Sequence, residues 1–498
     1  MNHVKGAKSI ILVAALMEVT NLCKQLISLA IQRCRLSGDP CRLSVFVRRI
    51  TISDSLLTQI SISDTGAGSC LKEFQDLKLG CNGLSQWDGI LSVTTTSLGD
   101  FELYHYKVNL KERASNRKTI KLPSSPKKNA IFSGTEVSVT SAEEMEVILE
   151  DMTCFLRKMV ILKINNIAIE LVAESHDGHG LQHENAVLAT ELTSPNSESS
   201  NVLQLASGLE DYVCKHRKLS EKCLSCFSSR DNLKVGNGQA CQQKHGNDVF
   251  SVEVVILISE NELLDSSDPS CLKAFETKTE VLYFRDFSPC SIHQSASKAL
   301  RSIKWNNYGL TPRSIADEEN SLIFEWETLP PYTHIDIALH CYNKQYPLQA
   351  IYVKVPPLRQ GTQLETKLVK EAISLALDDL KERYTGALLS DHALKIHNHA
   401  PDLARSIAGL ILSSDDSNFQ SECFGLLGMQ MDNIEEEAIE KCIKDKIMSA
   451  IDMNDRKPPN LRCRAAAPFL FGDDHLQEPE YMDEYDDGEE DGCNLMDF

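Results

Sequence analysis

The sequence predicts an α+β fold built as two successive sheet-bearing domains, and three observations predict it. Residues 8–36 carry apolar positions at helical spacing and lead into two alternating strand patterns, at 41–52 and 57–63. From residue 249 onward, strand patterns at 249–259, 279–285, 321–327, 333–341 and 348–355 are interleaved with helical ones at 291–304 and 363–384. A chain of 498 residues also exceeds what one hydrophobic core organises, so two or three domains are expected.

The elements follow in order. Gly38-Asp39-Pro40 stops the first helix. Leu43, Val45 and Val47 share one face of the next strand, and Ile60 and Ile62 share one face of the strand after it. Residues 64–68 form the loop beyond. The pattern alternates again at 135–140, turns helical at 142–157, and at 159–172 reads as a hairpin turning at Asn165-Asn166. Residues 1–174 are therefore expected to place helices on one face of a mixed or antiparallel sheet. Residues 175–247 are polar and rich in Ser, Asn, Gly and His, which predicts a loop-rich insertion or linker. The second domain spans 248–390, and its long helix carries the stripe Val369, Ile373, Ala376, Leu380 and Tyr384. A helical extension is expected over 391–471, with Ile439, Ile443, Ile447 and Ile451 at spacing four. An acidic tail at 472–498 is expected to be disordered.

The net charge of −20 is concentrated at one end, because residues 473–498 hold twelve Asp or Glu and no Lys or Arg. A free basic groove for duplex DNA is not a leading feature, and DNA contact is expected to be local or delegated to a partner. No apolar run reaches the roughly 18 residues of a membrane span. The short apolar stretch at 9–16 lacks a small-residue cleavage site and runs into a helical pattern, so no secretory signal and no membrane association are expected. Seventeen cysteines scattered over ordinary core positions fit a reducing compartment, cytosol or nucleus. Cys223-x-x-Cys226 with Cys241 and His245 has the donor set of a zinc site, but the favoured reading is a loop with incidental cysteines.

Two motifs carry the functional reading. Ile62-Ser-Asp-Thr-Gly-Ala-Gly68 resembles the nucleotide-pocket strand and loop of the GHKL (Bergerat) ATPases. The resemblance implies that Asp64 accepts a hydrogen bond from the adenine amino group, that Gly66 and Gly68 let the backbone approach the base, and that Gly134-Thr135 closes its far side. It also implies a general-base Glu and a Mg²⁺-binding Asn on the first helix. Gln25 and Leu29 stand at those positions; Gln accepts no proton and Leu binds no metal. The glycine-rich lid has no counterpart either, since Leu79–Gly83 lacks the repeated glycine spacing. Weak or no ATP binding and no useful hydrolysis are expected, with no cofactor required.

Trp305-Asn-Asn-Tyr-Gly-Leu310 resembles the Trp-x-x-Tyr-Gly-Leu signature of topoisomerase VI B transducer domains, and the likeness resumes at Tyr352–Pro356 and Lys370–Leu377. A degenerate GHKL sandwich followed by a β-α-β transducer with a long helix is the architecture of the meiotic topoisomerase VI B-like proteins, the plant form most closely. That resemblance implies a non-cleaving nuclear subunit. Such a subunit bridges two topoisomerase VI A-like transesterases in a two-plus-two complex, meets other meiotic break-forming proteins, and touches DNA through the complex. The transducer helix is the expected partner contact, through Leu364, Leu368, Val369, Ile373, Leu380 and Tyr384. The alternative is an active GHKL ATPase subunit of a type IIB topoisomerase that gates DNA passage. An unrelated GHKL-derived module leaves the Trp305–Leu310 signature unexplained.

Overall fold

The computed structural model describes residues 2–52, 55–75, 77, 89–112, 119–128, 130–177, 180–189, 201–220, 233–243, 249–260, 278–318, 321–329, 333–344, 362–384, 388–429 and 436–455. Helix α1 (Asn2–Ser37) precedes strands β1 (Cys41–Ile52) and β2 (Ser55–Asp64) and the short α2 (Leu71–Gln75). Next come β3 (Ile90–Thr96), β4 (Glu102–Asn109), β5 (Thr119–Lys121), β6 (Ser125–Pro126) and β7 (Gly134–Ser141). Helix α3 (Met145–Val160) leads to β8 (Ile167–Asp177) and β9 (Gly180–Ala189). These strands form one sheet in the order β5-β4-β3-β7-β2-β1-β8-β9. It is mixed: β1 and β8 pair parallel and β1 and β2 antiparallel. One face is apolar and packs Leu22, Leu26 and Ile27 of α1 and Ile148 and Met152 of α3 against Leu43, Val45, Ile60, Ile62 and Val137. Helices over one face of a mixed sheet are the expected sandwich.

Two readings are corrected. Residues 159–172 are not a hairpin. Helix α3 runs to Val160, the chain turns with Lys163 and Asn166 at positive φ, and β8 then joins β1 in parallel. A parallel neighbour requires a crossover element, and α3 supplies it. Residues 175–247 are not a loop-rich linker over their described part. They hold the end of β8, then β9, α4 (Asn201–Ser220) and β10 (Leu233–Gln243). Helix α4 buries Val202, Leu205, Ala206, Leu209 and Val213 at helical spacing, a stripe hidden by the polar residues between them.

The second sheet runs β10-β11-β16-β12-β15-β14, built from β10, β11 (Val249–Glu260), β12 (Lys278–Arg285), β13 (Ser288–Pro289), β14 (Thr311–Glu318), β15 (Ser321–Thr328) and β16 (Thr333–Lys344). Helix α5 (Gln294–Arg301) and helix α6 (Thr362–Arg383) cover one face. Strand β11 is buried on both faces. Val252, Val254, Ile256 and Ile258 face α5 and α6, while Val255 and Leu257 join the first core, which explains its near-continuous apolar run. The expected strand at 348–355 lies outside the described residues. The C-terminal helices are α7 (Asp391–Ser413), α8 (Ser417–Leu427) and α9 (Glu436–Asp455), with a small core of Ala404, Ala408, Ile411, Phe424, Ile439 and Ile443. Among the described residues, no helix is long and apolar enough to cross a membrane.

Candidate functional site: a buried carboxylate paired from within

Strand β2 alternates so that Thr58, Ile60, Ile62 and Asp64 face the helices, which delivers a carboxylate into an apolar layer. There it meets Arg33, on the last turns of α1. Asp64 Oδ2 accepts from Arg33 Nε at 2.9 Å and Nη2 at 2.7 Å, and Oδ1 accepts from Gly66 N–H at 3.1 Å. The Asp64 side chain is 0% exposed. Arg33 Nη1 lies 3.1 Å from Glu73 Oε2 of α2, an ion pair without hydrogen-bond alignment, and the guanidinium sits 6.0 Å from the Phe74 ring centroid. Burial raises the pKa of Asp64 and of Glu73; the charge of Arg33 opposes that rise at both, and its hydrogen bonds oppose it at Asp64. Arg33 itself is held charged: burial disfavours its cation, but the two carboxylates outweigh burial and raise its pKa.

The loop after Asp64 is closed on the protein's own backbone. Ala67 N–H donates to Arg33 C=O at 3.2 Å, and Thr65 N–H to Arg42 C=O at 3.1 Å. A Cβ on Gly66 would stand 2.6 Å from the Arg33 carbonyl carbon, and one on Gly68 2.6 Å from Thr96 O. These glycines permit close approach, as the motif requires, but what approaches is α1 and the end of β3. Gly134, at φ 154°, leaves no room for a Cβ either, which would lie 2.3 Å from Asp64 O. Thr135 pairs with Asp64 across β7 and β2, and its hydroxyl lies 3.0 Å from Thr95 Oγ1, which accepts from Ser69 N–H at 2.8 Å. The structure thus brings Gly66, Gly134 and Thr135 against Asp64 and its neighbours, with Gly68 on the end of β3, while Arg33 takes the Asp64 carboxylate. Gln25 and Leu29 are half-buried on α1, and Leu29 packs against the first core. The lid candidate Leu79–Gly83 lies outside the described residues.

The Trp305–Leu310 segment is a packing unit. Trp305 lies edge-on to Phe324 and Trp326 at 5.5 and 5.4 Å, and its indole N–H donates to Leu300 C=O at 3.1 Å. Tyr308 O–H donates to Asp378 of α6 at 2.9 Å. Gly309 adopts the left-handed conformation (φ 66°), with Leu389 O only 2.2 Å from where a Cβ would stand. Tyr308 and Gly309 therefore join α5 to α6 and to the start of α7.

The expected partner contacts on α6 are corrected. Leu368, Val369, Ile373 and Leu380 are buried in the core between α6 and the second sheet, and Leu364 and Tyr384 pack against it. Strand β10 consumes the stripe: Gly236 and Gly238 let α6 rest directly on its backbone, so an added Cβ would meet Ala376 O at 2.2 Å or Ala372 O at 1.9 Å. Cys241 is exposed on β10, while Cys223, Cys226 and His245 lie outside the described residues.

Comparison with known families decides the relationship. Residues 202–384 match the MTOPVIB middle domain, and residues 392–456 match the meiotic topoisomerase VIB-like C-terminal domain. The chain belongs to the meiotic topoisomerase VIB-like family. The middle domain of that family corresponds here to α4 through α6, and its C-terminal domain to α7 through α9. No curated protein matches the chain. Likenesses to solved structures are distant. The topoisomerase IV ATP-binding domain of Francisella tularensis aligns at TM-score 0.32 and 10% identity over 72% of this chain and 90% of that one. The 43K ATPase domain of Thermus thermophilus gyrase B aligns at 0.33 and 13%, over 77% and 92%. The gyrase B subunit of Myxococcus xanthus aligns at 0.30 and 12%, over 70% and 87%.

Sequence reasoning missed Arg33, Glu73 and a second buried carboxylate, Asp455. Asp455 accepts from Lys381 of α6, from Ser390 N–H at 3.0 Å and from Ser390 Oγ at 2.6 Å. Ser390 in turn caps α7 by accepting from Ala393 N–H at 3.3 Å. The one available signal for Arg33 was an arginine on a helix face otherwise occupied by Ala30, Ile31 and Cys34.

Proposed function

We propose that this chain is the non-catalytic B-like subunit of a meiotic topoisomerase VI-like complex. In this reading it bridges and activates A-like transesterase subunits in the nucleus, and they cut both DNA strands to initiate recombination. The observation that carries the reading is the Arg33–Asp64 pair. The carboxylate that would recognise adenine already has both oxygens engaged by the protein, with no solvent exposure. Gln25 and Leu29 supply neither a proton acceptor nor a metal ligand beside it. A first lobe whose Asp64 carboxylate is occupied from within suits a scaffold. With the inner stripe of α6 buried, partner contact falls to its outward face, where Lys367, Lys370, Glu371 and Leu375 are exposed.

The test is co-purification with topoisomerase VI A-like proteins, reading the complex mass by light scattering without nucleotide. A two-plus-two complex that ignores added ATP supports the scaffold. A complex that forms only with an ATP analogue, or hydrolysis abolished by Asp64→Asn, overturns it in favour of an ATP-gated subunit.

A further inference from the structure

Helix α7 buries Ala400, Ala404, Ala408 and Ile411 against its neighbours. Beside that seam runs a second apolar stripe, Ile396, Leu403 and Leu410, which is 44%, 50% and 67% exposed. Its spacing of seven keeps the three residues on one flank of the helix, drifting by only about 20° per step. Among the described residues, the stripe lies beside a small core in which Phe424 is the largest buried side chain, and it stands open to solvent there.

The chain itself supplies an occupant. Asp455, the last described residue, is bonded to Ser390 at the N-cap of α7, so the chain beyond it starts from the end of α7 that carries Ile396. The residues that follow contain one compact apolar run, Ala465-Ala-Ala-Pro-Phe-Leu-Phe471. Fourteen residues from 456 to 469 reach up to about 46 Å, and the stripe from 396 to 410 is about 21 Å long, so the run can lie anywhere along it. We propose that the 465–471 segment docks on the α7 stripe, completing the C-terminal domain in cis and fixing the root of the acidic tail there.

Chymotrypsin reads this directly in the full chain, because it cuts after Phe469, Leu470 and Phe471. Docking predicts slow cleavage there and at least about tenfold faster cleavage in Leu403→Ser/Leu410→Ser, whose outward side chains leave the α7 core intact. As a second readout, Phe469→Ser/Phe471→Ser should speed amide hydrogen exchange across 396–410 while α6 stays unchanged. Equal cleavage in the two chains, with unchanged exchange, overturns the proposal. A mass that doubles with concentration in the parent chain but not in Leu403→Ser/Leu410→Ser also overturns it, assigning the stripe to a second copy.

Discussion

Replacing Arg33 by Met keeps the aliphatic volume of the side chain and removes the cation. Asp64 is then left 0% exposed and Glu73 19% exposed, without their shared partner. Breaking a buried ion pair by deleting one member costs about 3–5 kcal/mol, because the remaining charge stays desolvated. For a lobe of this size that is roughly a 10 °C loss in Tm. The loss should depend on pH with a definite sign. Burial already sets the Asp64 pKa above its unfolded value, and Arg33 is the group that restrains the rise. Without Arg33 the folded pKa climbs further. The variant's stability is then fullest below the unfolded carboxylate range and falls as pH rises through the raised folded pKa. Melting curves of Arg33→Met against the parent chain between about pH 4.5 and 8.5, the carboxylate-to-neutral window, should diverge with rising pH. Arg33→Met/Asp64→Asn should recover part of the loss. A pH-independent difference below about 1 kcal/mol would refute the argument, since it would mean that Asp64 is hydrated and its pocket open.

Two further outcomes follow from other contacts. Gly238→Ala places a methyl 1.9 Å from Ala372 O, so α6 must lift from β10; a loss of about 3 kcal/mol or more and faster proteolysis within α6 are expected by denaturation and limited digestion. Asp455→Ala leaves the Lys381 ammonium buried without its carboxylate and uncaps the link to α7, so hydrogen exchange should accelerate across α7 and α9 before α6. Burial raises the Asp455 pKa, but hydrogen bonds from Lys381 and Ser390 outweigh it and set the value below normal. This latch is therefore at full strength above the unfolded carboxylate pKa and is lost as pH falls through the folded one, a dependence the Ala variant should lack.

Much of the fold was legible because periodicity reports burial. The strands at 41–52 and 249–259 and the helix at 363–384 are found at β1, β11 and α6 within a residue at most terminal positions. The mistakes share a cause. Residues 159–172 contain a turn signal, but whether a turn joins two strands or a helix to a strand depends on which strand becomes the neighbour, and β1 decides that from over a hundred residues away. Helix α4 has a clear inner stripe, but its polar face and polar flanks lowered the local hydrophobicity.

The motifs divide in the same way. From the residues alone came the meiotic topoisomerase VI B-like resemblance and the order of Asp64, Gly66, Gly68, Gly134 and Thr135 along the chain. Those are properties of residue type and local spacing. Only the tertiary structure decided that Asp64 is paired with Arg33, that the α6 stripe belongs to the core, and that Asp455 joins three helices. Each depends on two groups distant in sequence meeting in a low-dielectric interior, where a charge without a partner is too costly to keep and the partner's identity governs what the site can bind.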